Sequence, residues 1–233
     1  NTMTGPGTDK GGTSLGHGLL EHQRALLDWL DAVQARHSDL LIENCASGAM
    51  RMDYAMLSRL HLQSTSDQQH PLLYAPITAA APAAVLPEQA GHWAYPISGT
   101  TQEEFTLALV NGILGRLYLS GHLNQMTAAE LDLIRSALAA HRAVLKDLET
   151  LVPHWPLGLP AWDDEWLALG LGDYLALWHR TPGPAEITLP LPQAPIAPLF
   201  PTDADGWTYT WSSDALTVRT ELTEPSARII QLG

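Results

Sequence analysis

What most constrains this chain is a break in its grammar at residues 153–160, "PHWPLGLP". Upstream of the break, apolar residues recur at helical spacing or in short continuous runs; downstream they alternate as in strands. Proline and glycine clustered between two such patterns mark a boundary. The expected organisation is an α/β unit over 1–155 and a small all-β unit over 156–233.

In the upstream part, "LLEHQRALLDWLDAVQARH" (19–37) puts Leu19, Leu20, Leu26, Leu27, Leu30 and Val33 near one helical face. "DLLIEN" (39–44) reads as a buried strand, "AMRMDYAMLSR" (49–59) as a short helix and "LHLQSTS" (60–66) as the next strand. After a Pro/Ala-rich passage at 71–84, "AAVLPEQAGHWAYP" (83–96) is a strand end opening into a loop. "TQEEFTLALVNGILG" is a Thr-capped helix, "RLYLSG" (116–121) a strand, and 127–151 a long helix whose Thr127 and Glu130 form a capping box.

Strands alternating with helices predict parallel βα units, as in half of a (β/α)8 TIM barrel or a small doubly wound sheet. The latter wants a glycine-rich phosphate loop, which "CASGAMR" does not supply. Small and polar residues follow each strand, at Asn44 to Gly48, Ser64 to Gln68, Gln89 to Trp93 and Ser120 to His122. Barrel enzymes keep their active sites at those strand ends. Past the break, "DYLALWHR", "AEITLPLP", "GWTYTWSSDALTVRTEL" and "ARIIQLG" predict an antiparallel β-sandwich. There Trp207 and Trp211 share a strand face, with core packing expected ahead of a sugar-binding face.

Twelve Lys+Arg against 25 Asp+Glu, a net charge of −13, speaks against a nucleic-acid or anionic-membrane partner and for a neutral ligand. No apolar run approaches the roughly 18 residues of a membrane span. One cysteine makes no internal disulfide, so a cytoplasmic location is the expectation. The opening stretch "NTMTGPGTDKGGTSLGHG" reads as a long loop, and a fragment of a longer protein is expected.

Three chemistries compete. Cys45 is either a nucleophile served by His61 or His92, or a small residue at a strand end. The ten histidines are scattered, so neither a metal nor a cofactor is expected. Asp67, just past a strand, is either a catalytic carboxyl or the N-cap of a polar turn. Arg51 and Asp53 are expected to form ion pairs around the strand end.

"ENCASGAMRMDYAML" (43–57), followed at the next strand by "STSD" (64–67), resembles glycoside hydrolase family 36, the α-galactosidases. In that family a C-x-S-G-G-x-R-x-D motif precedes a T-S-D motif. The resemblance implies the second half of the catalytic barrel, followed by a C-terminal β-sandwich. The parent would be a retaining exo-α-galactosidase, with an α-galactoside oligosaccharide or glycoside as substrate. Asp67 would be the acid/base, and Cys45, Ser47 and Gly48 would line the galactosyl pocket. Ser64, His92 and Trp93 join them as substrate-binding residues. A homo-oligomeric full-length protein is compatible with this reading.

The chain departs from the family in three places. Ser64 stands where the family has a sugar-stacking Trp, with Trp93 as the candidate substitute. "TSDQQHP" replaces T-S-D-N-T-D. No K-x-D-like nucleophile segment precedes the first helix, and Asp9 in "GPGTDKGG" does not match one. Two alternatives stand beside the main reading: an α-N-acetylgalactosaminidase of the same fold, or a non-catalytic sugar-binding half-barrel.

Overall fold

A computed structural model describes residues 12–203 and 205–233. Asp9 and most of the glycine-rich opening stretch therefore lie outside the described residues. The chain divides into two compact units, residues 1–63 and 64–233.

In the first unit, helix α1 (His17–Arg36) follows the predicted stripe: Leu30 is buried and Leu19, Leu26, Leu27 and Val33 are half-buried, while Leu20 stays exposed. Leu30 packs with Met56 and Leu60, flanked by Leu26, Leu27 and Ile42. The Arg59 guanidinium holds both carboxylate oxygens of Asp31, at 2.8 and 3.1 Å. The strand expected over 39–44 contracts to β1 (Glu43–Asn44), because Leu40 and Leu41 are exposed. The short helix contracts to α2 (Tyr54–Leu57), and strand β2 covers Leu62–Ser64. β1 and β2 are parallel, with Glu43 opposite Leu62 and Asn44 opposite Gln63. Asp53, expected in an ion pair around the strand end, serves instead as a helix cap. Its carboxylate accepts the Met56 N–H at 3.0 Å and caps α2, a short-range bond that a residue in extended conformation just before a helix forms readily.

The second unit contains helices α3 (Pro71–Ala80), α4 (Gln102–Ile113) and α5 (Ala128–Leu145), the parallel pair β3 (Ala90–Ala94) and β4 (Arg116–Leu119), and then only strands. Thr101 caps α4 and the Thr127–Glu130 capping box opens α5, as their spacing predicts.

Helix α3 occupies the Pro/Ala-rich passage at 71–84, to which the sequence pattern assigns no element, with prolines at 71, 76 and 82. Pro71 occupies the first turn, where its missing N–H costs nothing. Pro76 removes the bond that would have reached the Leu72 carbonyl, and Arg180 Nε donates to that carbonyl instead, at 3.2 Å. Asn111 of α4 anchors the same helix: its amide donates to the Pro71 carbonyl and its backbone carbonyl accepts from Thr78. Its side-chain oxygen accepts the Trp178 indole N–H at 2.9 Å.

The remaining strands are β5 (Pro153–His154), β6 (Trp166–Leu171), β7 (Tyr174–His179), β8 (Ala185–Pro190), β9 (Pro195–Phe200), β10 (Trp207–Ser212), β11 (Ala215–Thr220) and β12 (Ser226–Leu232). They form two antiparallel sheets, ordered β5-β6-β7-β12-β9 and β10-β11-β8. β9, which contains Pro195 and Pro198, lies at a sheet edge, where the missing N–H groups are tolerated.

Every residue of β6 is buried. One of its faces joins β7, β9 and β12 in a core with α3, α4 and α5, through Leu167, Leu169, Trp178, Phe200 and Ile229. The other face meets the three-stranded sheet through Trp166, Ala168, Leu189, Trp207, Leu216 and Val218. Burial on both sides erases the alternation that marks a half-exposed strand, so β6 carries no period-2 signal. Trp207 is a core residue whose indole N–H donates to Ser226, while Trp211 is 38 % exposed and donates to the Leu191 carbonyl.

Candidate active site

In the second unit the parallel pairing of β2 stops at Ser64, and the next residues turn toward α3. Thr65 N–H still reaches the Gly91 carbonyl, at 3.1 Å. Beyond it, the Gln68 N–H donates to Ser66 Oγ and the Gln68 side-chain oxygen accepts the His70 N–H. These two side-chain turns shape a loop on which Asp67 is exposed. The residue capping α3 is His70. Asp67 is thus not the N-cap residue of α3.

Along β3, side chains alternate between two faces. Gly91, Trp93 and the following Tyr95 share one face; Ala90, His92 and Ala94 share the other. Trp93 and Tyr95 stack with centroids 5.6 Å apart and planes 15° apart, and the edge of Tyr118, opposite Trp93 on β4, meets the indole at 5.0 Å. Gly91 is required here, because a Cβ at that position would lie 2.6 Å from the Tyr118 ring. The Trp93 indole N–H donates to Ser64 Oγ at 2.9 Å. Ser64 is buried and Trp93 half-buried, so the structure brings these two predicted residues together beside the strand end that leads to Asp67. Tyr95 and Tyr118 are not among the residues that the sequence singles out. Tyr95 is legible as the i+2 neighbour of Trp93, whereas Tyr118 needs the β3–β4 register.

His92 is a correction to the expected substrate contacts. It points to the opposite face, is 1 % exposed and lies against Gly115, where a Cβ would come 2.2 Å from its ring. Its Nδ1 sits 3.3 Å from Thr65 Oγ1. Burial pushes its pKa down to about 3, so the imidazole is neutral near pH 7 and too weak a base to activate a thiol.

In the first unit, the loop after β1 is held from below by Asn44, whose amide donates to the Arg51 carbonyl and to Gln63 Oε1. Ser47 and Gly48 are both left-handed, at φ 49° and 76°, and Ala46 N–H donates to the Gly48 carbonyl. For serine this conformation carries a cost of about 1–2 kcal/mol that glycine avoids. Cys45 and Ser47 are exposed and Gly48 is buried. His61, the other histidine considered beside Cys45, accepts the Ile42 N–H at Nδ1.

A cavity of about 400 Å3 opens elsewhere in the second unit, between the starts of α4 and α5 and residues 201–203. None of the sequence-predicted site residues lines it. Among the described residues no three His, Cys, Asp or Glu side chains cluster to hold a metal, and no helix is long and apolar enough to cross a membrane.

No family model matches the sequence, and no curated protein matches it. Solved structures do. The GH36 α-galactosidase AgaB from Geobacillus stearothermophilus superposes with a TM-score of 0.69 at 14% identity, over 94% of this chain and 32% of its own. The GH36 α-galactosidase AgaA from the same organism, as its A355E variant with 1-deoxygalactonojirimycin, gives 0.67 at 13% identity over the same shares. A debranching enzyme from Nostoc punctiforme, soaked with acarbose, gives 0.55 at 10% identity over 88% of this chain and 53% of its own. The chain thus spans about a third of the length of the α-galactosidases it matches. Its mixed α/β fold, with parallel and antiparallel sheets, resembles the C-terminal part of the GH36 α-galactosidases.

Proposed function

We propose that this chain belongs to a retaining exo-α-galactosidase and carries its acid/base, Asp67. The reading rests on one arrangement: an exposed carboxyl on a shaped loop three residues past Ser64, the strand residue to which the Trp93 indole is bonded. Its α/β part would be the second half of a (β/α)8 barrel, with a β-sandwich behind it. The likeness to AgaA supports an α-galactoside substrate, since variants of that enzyme were crystallised with raffinose and with stachyose.

In this mechanism Asp67 protonates the glycosidic oxygen as the bond to the anomeric carbon breaks and a second carboxylate attacks that carbon. It then takes a proton from the water that opens the glycosyl-enzyme. Retention requires the second carboxylate at about 5 to 5.5 Å from the first. We assign that nucleophile to the parent protein, as the chain spans a third of its likenesses. Trp93, with its indole tied to Ser64, supplies the aromatic surface that the family places at position 64. Cys45, Ser47 and Gly48 are assigned to substrate contact on the sequence resemblance alone.

The test is Asp67→Asn in the full-length protein. Turnover of raffinose, whose leaving group needs a proton, should be abolished, and full retained activity would overturn the assignment. The 233-residue chain by itself should hydrolyse an activated aryl α-galactoside negligibly. Ser64 in place of the family's Trp favours a second reading, a sugar-binding half-barrel without catalysis. In that case the full-length protein binds galactose but turns over neither substrate.

A further inference from the structure

Between the end of β2 and β3 a side chain stands where backbone would be expected. In a continuous parallel ladder, a strand whose Thr65 N–H reaches the Gly91 carbonyl would next offer its Thr65 carbonyl to the Trp93 N–H. The Trp93 N–H instead donates to the phenol oxygen of Tyr74, at 2.9 Å. Tyr74 lies one turn into α3, is 1 % exposed, and its hydroxyl sits 2.6 Å from Thr65 Oγ1. Thr65 Oγ1 in turn donates to the Gly91 carbonyl at 2.9 Å.

With Thr65 O–H donating to the Gly91 carbonyl, the links run Trp93 N–H to Tyr74 Oη and Tyr74 O–H to Thr65 Oγ1, with His92 Nδ1 also 3.3 Å from that oxygen. Two of the links are buried and the one from Trp93 is part-buried, and a chain so enclosed and satisfied is rigid. Burial raises the Tyr74 pKa to about 12, so the phenol keeps the proton that the middle link requires.

We propose that Tyr74 is a positioning residue for Asp67: its hydroxyl, inserted between the end of β2 and β3, sets the direction in which residues 65–67 leave the sheet. The inference rests on the acid/base reading of Asp67. The lever is short. Thr65 is two residues from Asp67, and the next fixed points are the Ser66 and Gln68 turns that lead to His70. Helix α3 is itself held by Asn111 and Arg180, so the phenol is presented from a rigid support.

The test compares two substrates in the full-length protein. A displaced acid slows the step that needs a proton, so kcat/KM for raffinose should fall about tenfold or more in Tyr74→Phe, the scale set by one buried hydrogen bond. For an activated aryl α-galactoside, whose leaving group departs unprotonated, kcat/KM should stay within about threefold. Thr65→Val, which cuts the middle and last links while keeping shape, should show the same selectivity and covers the case in which Tyr74→Phe does not fold. Equal losses on both substrates, or none on either, would overturn the positioning role. Asp67→Asn is run alongside. If it shows no preferential loss on raffinose, the acid/base reading itself fails, and if it does while the Tyr74 and Thr65 variants do not, only the present inference fails.

Discussion

The indole N–H of Trp93 donates to Ser64 Oγ, at 2.9 Å, joining a half-buried ring on β3 to a buried hydroxyl at the end of β2. With Tyr95 on its face and Tyr118 at its edge, the ring is restrained on three sides. Ser64→Ala removes one net hydrogen bond, about 1 kcal/mol, and leaves the indole donor without that partner. A Tm lower by about 2–4 °C is expected for a unit of this size. An unchanged Tm in differential scanning calorimetry would mean that the bond does not hold the ring.

Arg228 is 2 % exposed and forms two bonds to the Glu103 carboxylate, at 2.6 and 2.8 Å. The guanidinium also donates to the Asp205 carbonyl and lies 5.6 Å from the Trp207 ring centre. Glu103→Ala strands a buried cation and should cost about 3–5 kcal/mol in urea unfolding. The double variant Glu103→Leu, Arg228→Met removes both charges, so it should recover a measurable part of that loss. A double variant less stable than the single would contradict the desolvation account.

Acid should destabilise the second unit in two windows. His92 binds its proton in the unfolded chain near pH 6.5 but in the fold only near pH 3, because burial penalises the charged ring. Its contribution is therefore fully present above about pH 6.5 and lost as the pH falls toward 3. His141, also lowered by burial, acts in the same direction. Glu130 is held down to about 2 by the Thr127 and Gly99 N–H groups, so its contribution is lost between about 4.5 and 2. Chemical denaturation across pH should give a shallower slope between about 6.5 and 4 for His92→Leu than for the parent. An identical slope would show that the ring is not neutral in the fold.

An external nucleophile tests the role of Asp67 directly. In the full-length Asp67→Ala variant, an activated aryl α-galactoside should still form the glycosyl-enzyme, which then lacks a base to activate water. Azide needs no such base. It should restore turnover and yield α-galactosyl azide, since two successive inversions retain configuration. Formation of the β-azide would instead mark position 67 as the nucleophile.

Much of this arrangement is legible in residue spacing. The stripe of α1, the caps Thr101 and Thr127, and the strand ends near 44, 64 and 119 follow from local pattern and capping chemistry, while the strand end expected before Gln89–Trp93 is displaced, since 90–94 is itself β3. Two elements do not. α3 is hidden because Pro76 is tolerated only once Arg180, more than a hundred residues on, supplies the lost bond to Leu72. β6 is hidden because burial on both faces leaves no alternation to read.

The candidate site divides in the same way. By itself the sequence determined the chemistry on offer: a carboxyl at 67, a hydroxyl at 64, an indole at 93, and a motif order like that of the α-galactosidases. Only the tertiary structure decided which way those groups face. His92 and Trp93 are neighbours in the chain, yet the pleat sends one into the helix-side core and the other beside Ser64. Likewise, that the Tyr74 phenol takes the place of a ladder bond two residues before Asp67 depends on a helix docking against the sheet, which no local spacing encodes.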